Sequence, residues 1–354
     1  MLLRVLFLLA ALACGGLASA APGPGHLSVR GREIVDPAGN PILLRGWNWG
    51  HFGKAQESDA ADNAAQGANV VRLPLRWWGY YKAKGVDSRQ DSAAATAGID
   101  PANLAILDDN VRWASRAKLW IVLFIDSNCG QNGTQNQEMV AYCDPGKQYR
   151  DGHNFWTDPA MRAKFVALWR FIANRYKDTP YIGMFEPLPE PGPPSASPQQ
   201  INDFYSEVMT AVRAVAPGVP FLVGPNKYRA AQIRNAFNPA WKDVVYTGNL
   251  FFHTSGEEAG VEGIRGRLQA MLELRNQRNV PLFVQQVGVR AGEDPDQAKV
   301  KAMLGMLVDN RVGFAYWEYR GASNPDEYGV MYRRGKTWRT KPAELSAIAG
   351  SFRK

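Results

Sequence analysis

The chain of 354 residues is poor in the residues that build metal and nucleophile centres. Its four histidines, at positions 26, 51, 153 and 253, include no pair at metal-ligand spacing, so nothing points to a zinc-type site. There is no glycine-rich turn that would cradle a phosphate and no nucleophile elbow, which removes nucleotide-dependent and serine-hydrolase chemistry. After the first residues no stretch is apolar enough to cross a membrane. The net charge is +8, yet no predicted helix carries a basic stripe. Only Arg333, Arg334, Lys336, Arg339 and Lys341 cluster, and as sequence they read as solvated surface rather than a nucleic-acid footprint. No internal repeat is evident, and no linker follows Gly25.

What is present begins with an address. Arg4 forms a short basic start, residues 5–13 are apolar, and Ala18-Ser19-Ala20 supplies a small-x-small cleavage pattern. Residues 1–20 are therefore expected to be a signal peptide cut before Ala21, leaving residues 21–354 as one domain that is secreted or periplasmic. An uncleaved anchor is one alternative. A lipid-modified Cys14 is another, weakened by Ala11 where a branched apolar residue is usual. Of the three cysteines, Cys14 leaves with the leader, and the expectation for an exported chain is that Cys129 and Cys143 pair. The loop closed would be about 15 residues, worth roughly 3 kcal/mol in the chain-entropy account; buried free thiols are the alternative. Composition is that of a globular protein, 45% hydrophobic and 21% charged, with eleven Trp and thirteen Tyr, more than a core alone needs.

The order of patterns sets the fold class. Residues 27–44 read as a hairpin with its turn at Pro37-Ala38-Gly39-Asn40. Eight short apolar runs follow, at 42–47, 69–73, 120–126, 181–186, 220–224, 244–247, 281–287 and 313–317. Amphipathic stretches at 102–118, 159–176, 198–215, 263–278, 296–310 and 342–352 lie between or after them. Continuous apolar strands alternating with helices imply a parallel sheet covered on both faces. Eight units imply a closed (β/α)8 TIM barrel with a short N-terminal β-hairpin; the alternative, an open doubly wound sheet, usually carries a glycine-rich first turn that Gly46-Trp47-Asn48-Trp49-Gly50 does not match.

In such barrels functional side chains sit at the C-terminal ends of strands. That rule alone selects Trp47, Asn48 and Trp49; Arg72, Trp77 and Trp78; Asp126; Glu186 and Glu190; Asn226; Asn249, Phe251 and His253; Gln285 and Gln286; and Trp317, Glu318 and Arg320. Indole faces, amides and carboxyls on one rim are the chemistry of a sugar site, because flat rings stack on pyranoses while fixed polar groups take hydroxyls. One of Trp77 and Trp78 is expected in the core. The long segment 127–156, with the cysteine pair, is expected to wall one side of the cleft, with Trp156 near ligand.

These segments, in order, resemble the family 5 glycoside hydrolases, the cellulase family, over nearly all of the mature chain. GNPILLRGWNWG is similar to the family's first hairpin and strand, ANVVRLPLRWW to the strand-two segment with its arginine, here Arg72, and FEPLPEP to the strand-four motif. PLFVQQVGV is similar to the strand-seven segment and GFAYWEYR to the last strand with its tryptophan. The resemblance implies hydrolysis of β-linked oligo- or polysaccharides by two carboxyls, an acid/base from strand four and a nucleophile from strand seven. It places the acid/base at Glu190, with Glu186 deeper and paired with a base such as Arg72; a register centred on Glu186 is the alternative. It places Gln286 at the nucleophile position, where a neutral amide cannot attack as a carboxylate does. Pro189 stands where the family has asparagine, Asn249 and Phe251 where it has histidine and tyrosine, and Asp126 where it has histidine. Glu318, Asp126 and Glu186 are the candidates for a second carboxylate. Arg72, Trp47, Trp78, Asp126, Asn249, Trp317 and Glu318 are the expected sugar-binding residues. Two functions follow: a glycosidase with Glu190 as acid, or a carbohydrate-binding barrel that has lost turnover. A third, transfer chemistry on another substrate, ranks below both. No metal or cofactor is implied, and a monomer is expected.

Overall fold

Uninterrupted runs of Val, Ile, Leu and Phe are stable only as strands covered on both faces. The computed structural model describes residues 25–50, 55–76, 101–126, 159–189, 197–224, 238–252, 254, 259–321 and 323–353. Within them every one of the eight apolar runs becomes strand: β3 (Arg45–Asn48), β4 (Val70–Arg76), β5 (Trp120–Asp126), β6 (Ile182–Glu186), β7 (Phe221–Val223), β8 (Val244–Tyr246) with β9 (Asn249–Phe251), β10 (Phe283–Gly288) and β11 (Gly313–Tyr316). All neighbours are parallel, in the order β8-β7-β6-β5-β4-β3-β11-β10-β9.

The two ends of that order are halves of the sixth run, separated only by Thr247 and Gly248. β8 pairs with β7, and β9 pairs with β10. A bridge from Tyr246 to Leu282, with the Tyr246 N–H donating to the Pro281 carbonyl at 2.8 Å, joins the halves to one neighbour. The sheet therefore closes as a barrel of eight units, the sixth strand being broken where it changes partner. Helices α1 (Glu57–Ala65), α2 (Pro101–Arg116), α3 (Pro159–Tyr176), α4 (Pro198–Arg213), α5 (Gly260–Arg278), α6 (Ala298–Asp309) and α7 (Pro342–Phe352) follow the strands. Their starts obey local chemistry: Ser197 caps α4 reciprocally with Gln200, and Pro198 needs no N–H in the first turn. α2 stops two residues before the predicted end, and Lys118 takes a left-handed φ of 58°.

Two apolar layers hold the barrel. One lies between strands and helices. The other fills the interior with one residue from each unit: Leu44, Val70, Val122, Met184, Leu222, Val245, Phe283 and Ala315. Leu27 and Ile34 join this inner cluster, so the N-terminal hairpin plugs the barrel floor. Its strands are β1 (Ser28–Arg30) and β2 (Glu33–Val35), which corrects the predicted turn. The chain reverses first at Gly31-Arg32, where Gly31 supplies a φ of 57°. The Pro37–Asn40 turn is formed too, but it leads only to a single Val35–Pro41 bridge. Gly46 on β3 is required by close approach: a Cβ there would lie 1.8 Å from the Val70 carbonyl oxygen.

Besides a 3-10 turn at Ala291–Glu293, two elements were not predicted. α1 is one. The other is an antiparallel hairpin after the eighth strand, β12 (Met331–Arg334) and β13 (Thr337–Thr340). Among the described residues no helix is long and apolar enough to cross a membrane.

Candidate active site

Side chains on a strand return to the same face every second residue. Two positions above the inner apolar layer therefore come Arg72, Phe124, Glu186, Thr247, Gln285 and Trp317, with Gly224 on the fifth strand, and Asn48, four residues beyond Leu44, pairs in register with Arg72. The change from Val, Met and Phe to amides and charges within one step of the pleat marks where the barrel stops being core and becomes site.

A buried pair organises this level. The Arg72 guanidinium grips Glu186 through both carboxylate oxygens, Nε to Oε2 at 2.6 Å and Nη2 to Oε1 at 2.9 Å, with both side chains almost fully buried. Its Nη1 donates to Asn48 Oδ1 at 2.9 Å, and its Cζ lies 3.5 Å from the centroid of the Phe124 ring. Asn48 Nδ2 in turn reaches the carbonyls of Gln285 at 2.9 Å and Ala315 at 3.0 Å. Strands one, two, four, seven and eight are thus tied by one network. The pairing of Glu186 with Arg72 is the one the family resemblance implied.

The chain beyond Glu186 is pinned from outside. Trp169 Nε1 donates to the Pro187 carbonyl at 2.8 Å. The Tyr205 hydroxyl lies 2.8 Å from the Leu188 carbonyl and 2.9 Å from that of Gly224. Burial, and then the nearby Glu186 charge, pushes the Tyr205 phenol well above its ordinary range, so it stays a neutral donor. Pro189 is buried at the end of this segment.

On the seventh strand the register slips between Val284 and Val287, both of which belong to the outer layer. Two residues between two outward ones leave Gln285 and Gln286 both turned inward, the local effect of a bulge. Gln286 pairs in register with Asn249, and Asn249 Nδ2 donates to Gln286 Oε1 at 2.9 Å. Gln286 keeps 7% of its surface, Asn249 4% and Trp317 7%. The Gln286 amide nitrogen is left with no protein partner among the described residues, so the position presents a donor where a nucleophile would present negative charge.

Other expected residues lie elsewhere. Trp47 is fully buried in the outer layer, against Tyr316, Tyr319 and Phe352, with its Nε1 on Gln66 at 3.2 Å. The expectation that it faces a sugar is corrected: it stands one residue out of phase with Asn48, on the helix side. Trp49 is held likewise, its Nε1 on Asn63 Oδ1 at 2.6 Å. Glu318 is fully buried after the cis Trp317–Glu318 peptide. Asp126 ends β5 with its backbone opposite Arg76. Glu190, Trp77, Trp78, Trp156, Asn226, His253, Cys129 and Cys143 lie outside the described residues. Phe124 was missed, although the two-residue step from Val122 points to it. No group of three or more His, Cys, Asp or Glu residues that could hold a metal ion occurs among the described residues.

Comparison with known proteins agrees with this frame. No curated protein matches the chain by sequence. Among solved structures, an endogalactoceramidase superposes with a TM-score of 0.70 at 17% identity, covering 92% of this chain and 84% of that one. Endo-glycoceramidase II from Rhodococcus sp., solved with a cellobiose-like imidazole, gives 0.64 at 18% identity, covering 92% and 81%. A mutant form of Thermotoga maritima Cel5A in complex with cellobiose gives 0.60 at 20% identity, covering 86% and 96%. At such identities these likenesses speak for the barrel. The profile described as Cellulase (glycosyl hydrolase family 5) matches residues 35–323, from the floor hairpin through the eighth strand, and on that match the chain belongs to glycosyl hydrolase family 5.

Proposed function

We propose that the barrel mouth takes a β-linked oligo- or polysaccharide and that the protein acts on its O-glycosidic bonds with Glu190 as general acid/base. The observation that carries this reading is the network that fixes the chain leading up to Glu190. Arg72, itself held by Asn48, together with Trp169 and Tyr205 fixes residues 186–188 by side-chain hydrogen bonds, and Glu190 follows two residues later. A catalytic carboxyl needs such a fixed approach. Trp317 would stack on the sugar, Asn249 and Gln286 would meet its hydroxyls, and Trp78 would extend the platform. Arg72 serves through Glu186 and Asn48 rather than by touching ligand.

The second carboxylate is the harder requirement. Both Glu186 oxygens are taken by Arg72, and Glu318 has no exposed surface. Asp126, at the end of the third strand, is the remaining candidate. It would serve as base in an inverting route, which needs carboxyls about 6.5–9.5 Å apart to admit a water. A second reading rests on Gln286 itself. An amide hydrogen-bonded to Asn249 cannot form a glycosyl ester or offset oxocarbenium charge, so this barrel would bind saccharide without turnover.

Hydrolysis of a panel of aryl β-glycosides and β-linked oligosaccharides separates the two. Turnover by wild type that is lost in Glu190→Gln and in Asp126→Asn supports the inverting glycosidase. Turnover that survives Glu190→Gln overturns it. Wild-type binding without turnover, with activity appearing in Gln286→Glu, supports the binding barrel and marks the amide as the disabling change.

A further inference from the structure

Residues 331–341 contain five cations, Arg333, Arg334, Lys336, Arg339 and Lys341, and no acid. Along the chain they look like solvated charge. The fold makes them a built surface, because the first four ride on the β12–β13 hairpin, with Lys341 just after it, beyond the C-terminal end of the eighth strand, which is the mouth end of the barrel. The hairpin is anchored there. Arg320 bridges to Met331, and the Arg320 guanidinium, itself fixed on Asp59, lies 4.9 Å from the centroid of the Trp338 ring.

Register then assigns the faces. Arg333 stands opposite Trp338, and Tyr332 opposite Arg339, with Arg334 opposite Thr337. Trp338 turns toward the barrel, so the alternate face, Tyr332, Arg334, Thr337 and Arg339, turns away from it. Arg334, Thr337 and Arg339 are exposed and Tyr332 is half-buried; Lys336 is exposed at the turn. Lys341 is engaged with Glu344 at 3.4 Å, but Arg334, Lys336 and Arg339 have no ion-pair partner among the described residues.

We propose that this face is an accessory subsite for an acidic polysaccharide, a β-linked chain bearing carboxylates on its sugars. The inference rests on the reading of the mouth as a saccharide site and names its substrate class. Like charges on one small face repel, and an anion laid across them relieves that cost. Guanidinium groups pair with carboxylates through two parallel hydrogen bonds. The tyrosine ring among them offers the flat surface that a pyranose stacks on, which a purely electrostatic patch lacks.

The test is affinity of the intact protein for polymannuronate, a β-linked uronate chain, and for β-linked mannan, its neutral counterpart. Variants are Arg334→Gln/Arg339→Gln and Tyr332→Ala, with thermal unfolding as the check on folding. The double variant should lose roughly tenfold in polymannuronate affinity and leave mannan binding unchanged, from two exposed charge pairs. Tyr332→Ala should weaken polymannuronate further than it weakens double-stranded DNA or anionic phospholipid vesicles. Unchanged polymannuronate affinity in the double variant overturns the inference while mannan binding still supports the mouth. DNA or vesicles bound as tightly as polymannuronate, with the same loss in the variants, overturn it in favour of a nonspecific polyanion surface. Binding of neither saccharide overturns the reading of the mouth itself.

Discussion

Glu186 shows how much one residue can be asked to do without touching ligand. Its charge is compensated inside the barrel by Arg72, and neither side chain reaches water. Such a pair adds little net stability over an apolar pair, but removing one partner strands the other charge. Glu186→Gln should therefore destabilise the protein by about 3–5 kcal/mol, read from urea unfolding. Glu190→Gln should leave the unfolding midpoint nearly unchanged while abolishing any turnover. That contrast settles which glutamate is structural and which reacts. The spacing of the two glutamates was legible in the sequence, and so was the amide at Gln286. The bulge that turns Gln285 and Gln286 inward together was not, because a period-two reading sends neighbouring residues to opposite faces.

At the scale of elements, α1 explains a failure of pattern reading. Its inward positions are Gln56, Asp59, Asn63 and Gln66, spaced as one helical stripe, and each bonds a barrel residue: Arg320, Arg320, Trp49 and Trp47 respectively. A helix docked by polar groups shows no apolar period, so nothing in ESDAADNAA announced it. Asp59→Asn should cost about 3–5 kcal/mol, because the Arg320 guanidinium would remain buried without its counter-charge. The floor hairpin makes the opposite case. Leu27 is 1% exposed and belongs to the inner cluster, so Leu27→Ala should cost about 2–5 kcal/mol through the cavity it leaves. Both are measurable as shifts in the chemical unfolding midpoint at unchanged slope.

For the molecule as a whole, closure of the barrel carries a pH dependence. Glu344 on α7 is buried beside Tyr316 on β11, with Lys341 at 3.4 Å. Burial raises its carboxyl above the ordinary value of 4.5, and the nearby Asp294 charge adds to this; Lys341, and then the hydrogen bond from Tyr316, oppose it. A carboxyl raised by folding favours the folded state below its unfolded pKa, and that contribution is lost as pH climbs from 4.5 through the folded value. Glu344→Gln should therefore flatten this part of the stability curve and leave the variant more stable than wild type near neutral pH. Thermal unfolding across pH 4 to 8 checks it; a parallel pair of curves would show that Glu344 is not the source.

By itself the sequence determined the class of barrel and the order of its strands, which follow from local alternation and need no knowledge of distant contacts; Glu190 as acid/base candidate and Gln286 at the nucleophile position came from the resemblance of its segments to a family. Tertiary structure alone decided which strand-end tryptophan packs under the helices. Trp47 and Trp317 both sit at strand ends, yet one residue of phase puts Trp47 under the helices. It also decided that the sixth strand breaks to change partners, that a polar helix seals the seam between strands one and eight, and that four of the five clustered cations ride on one hairpin. Each is a matter of which surfaces meet, and that is fixed by closure of the barrel rather than by any stretch of chain.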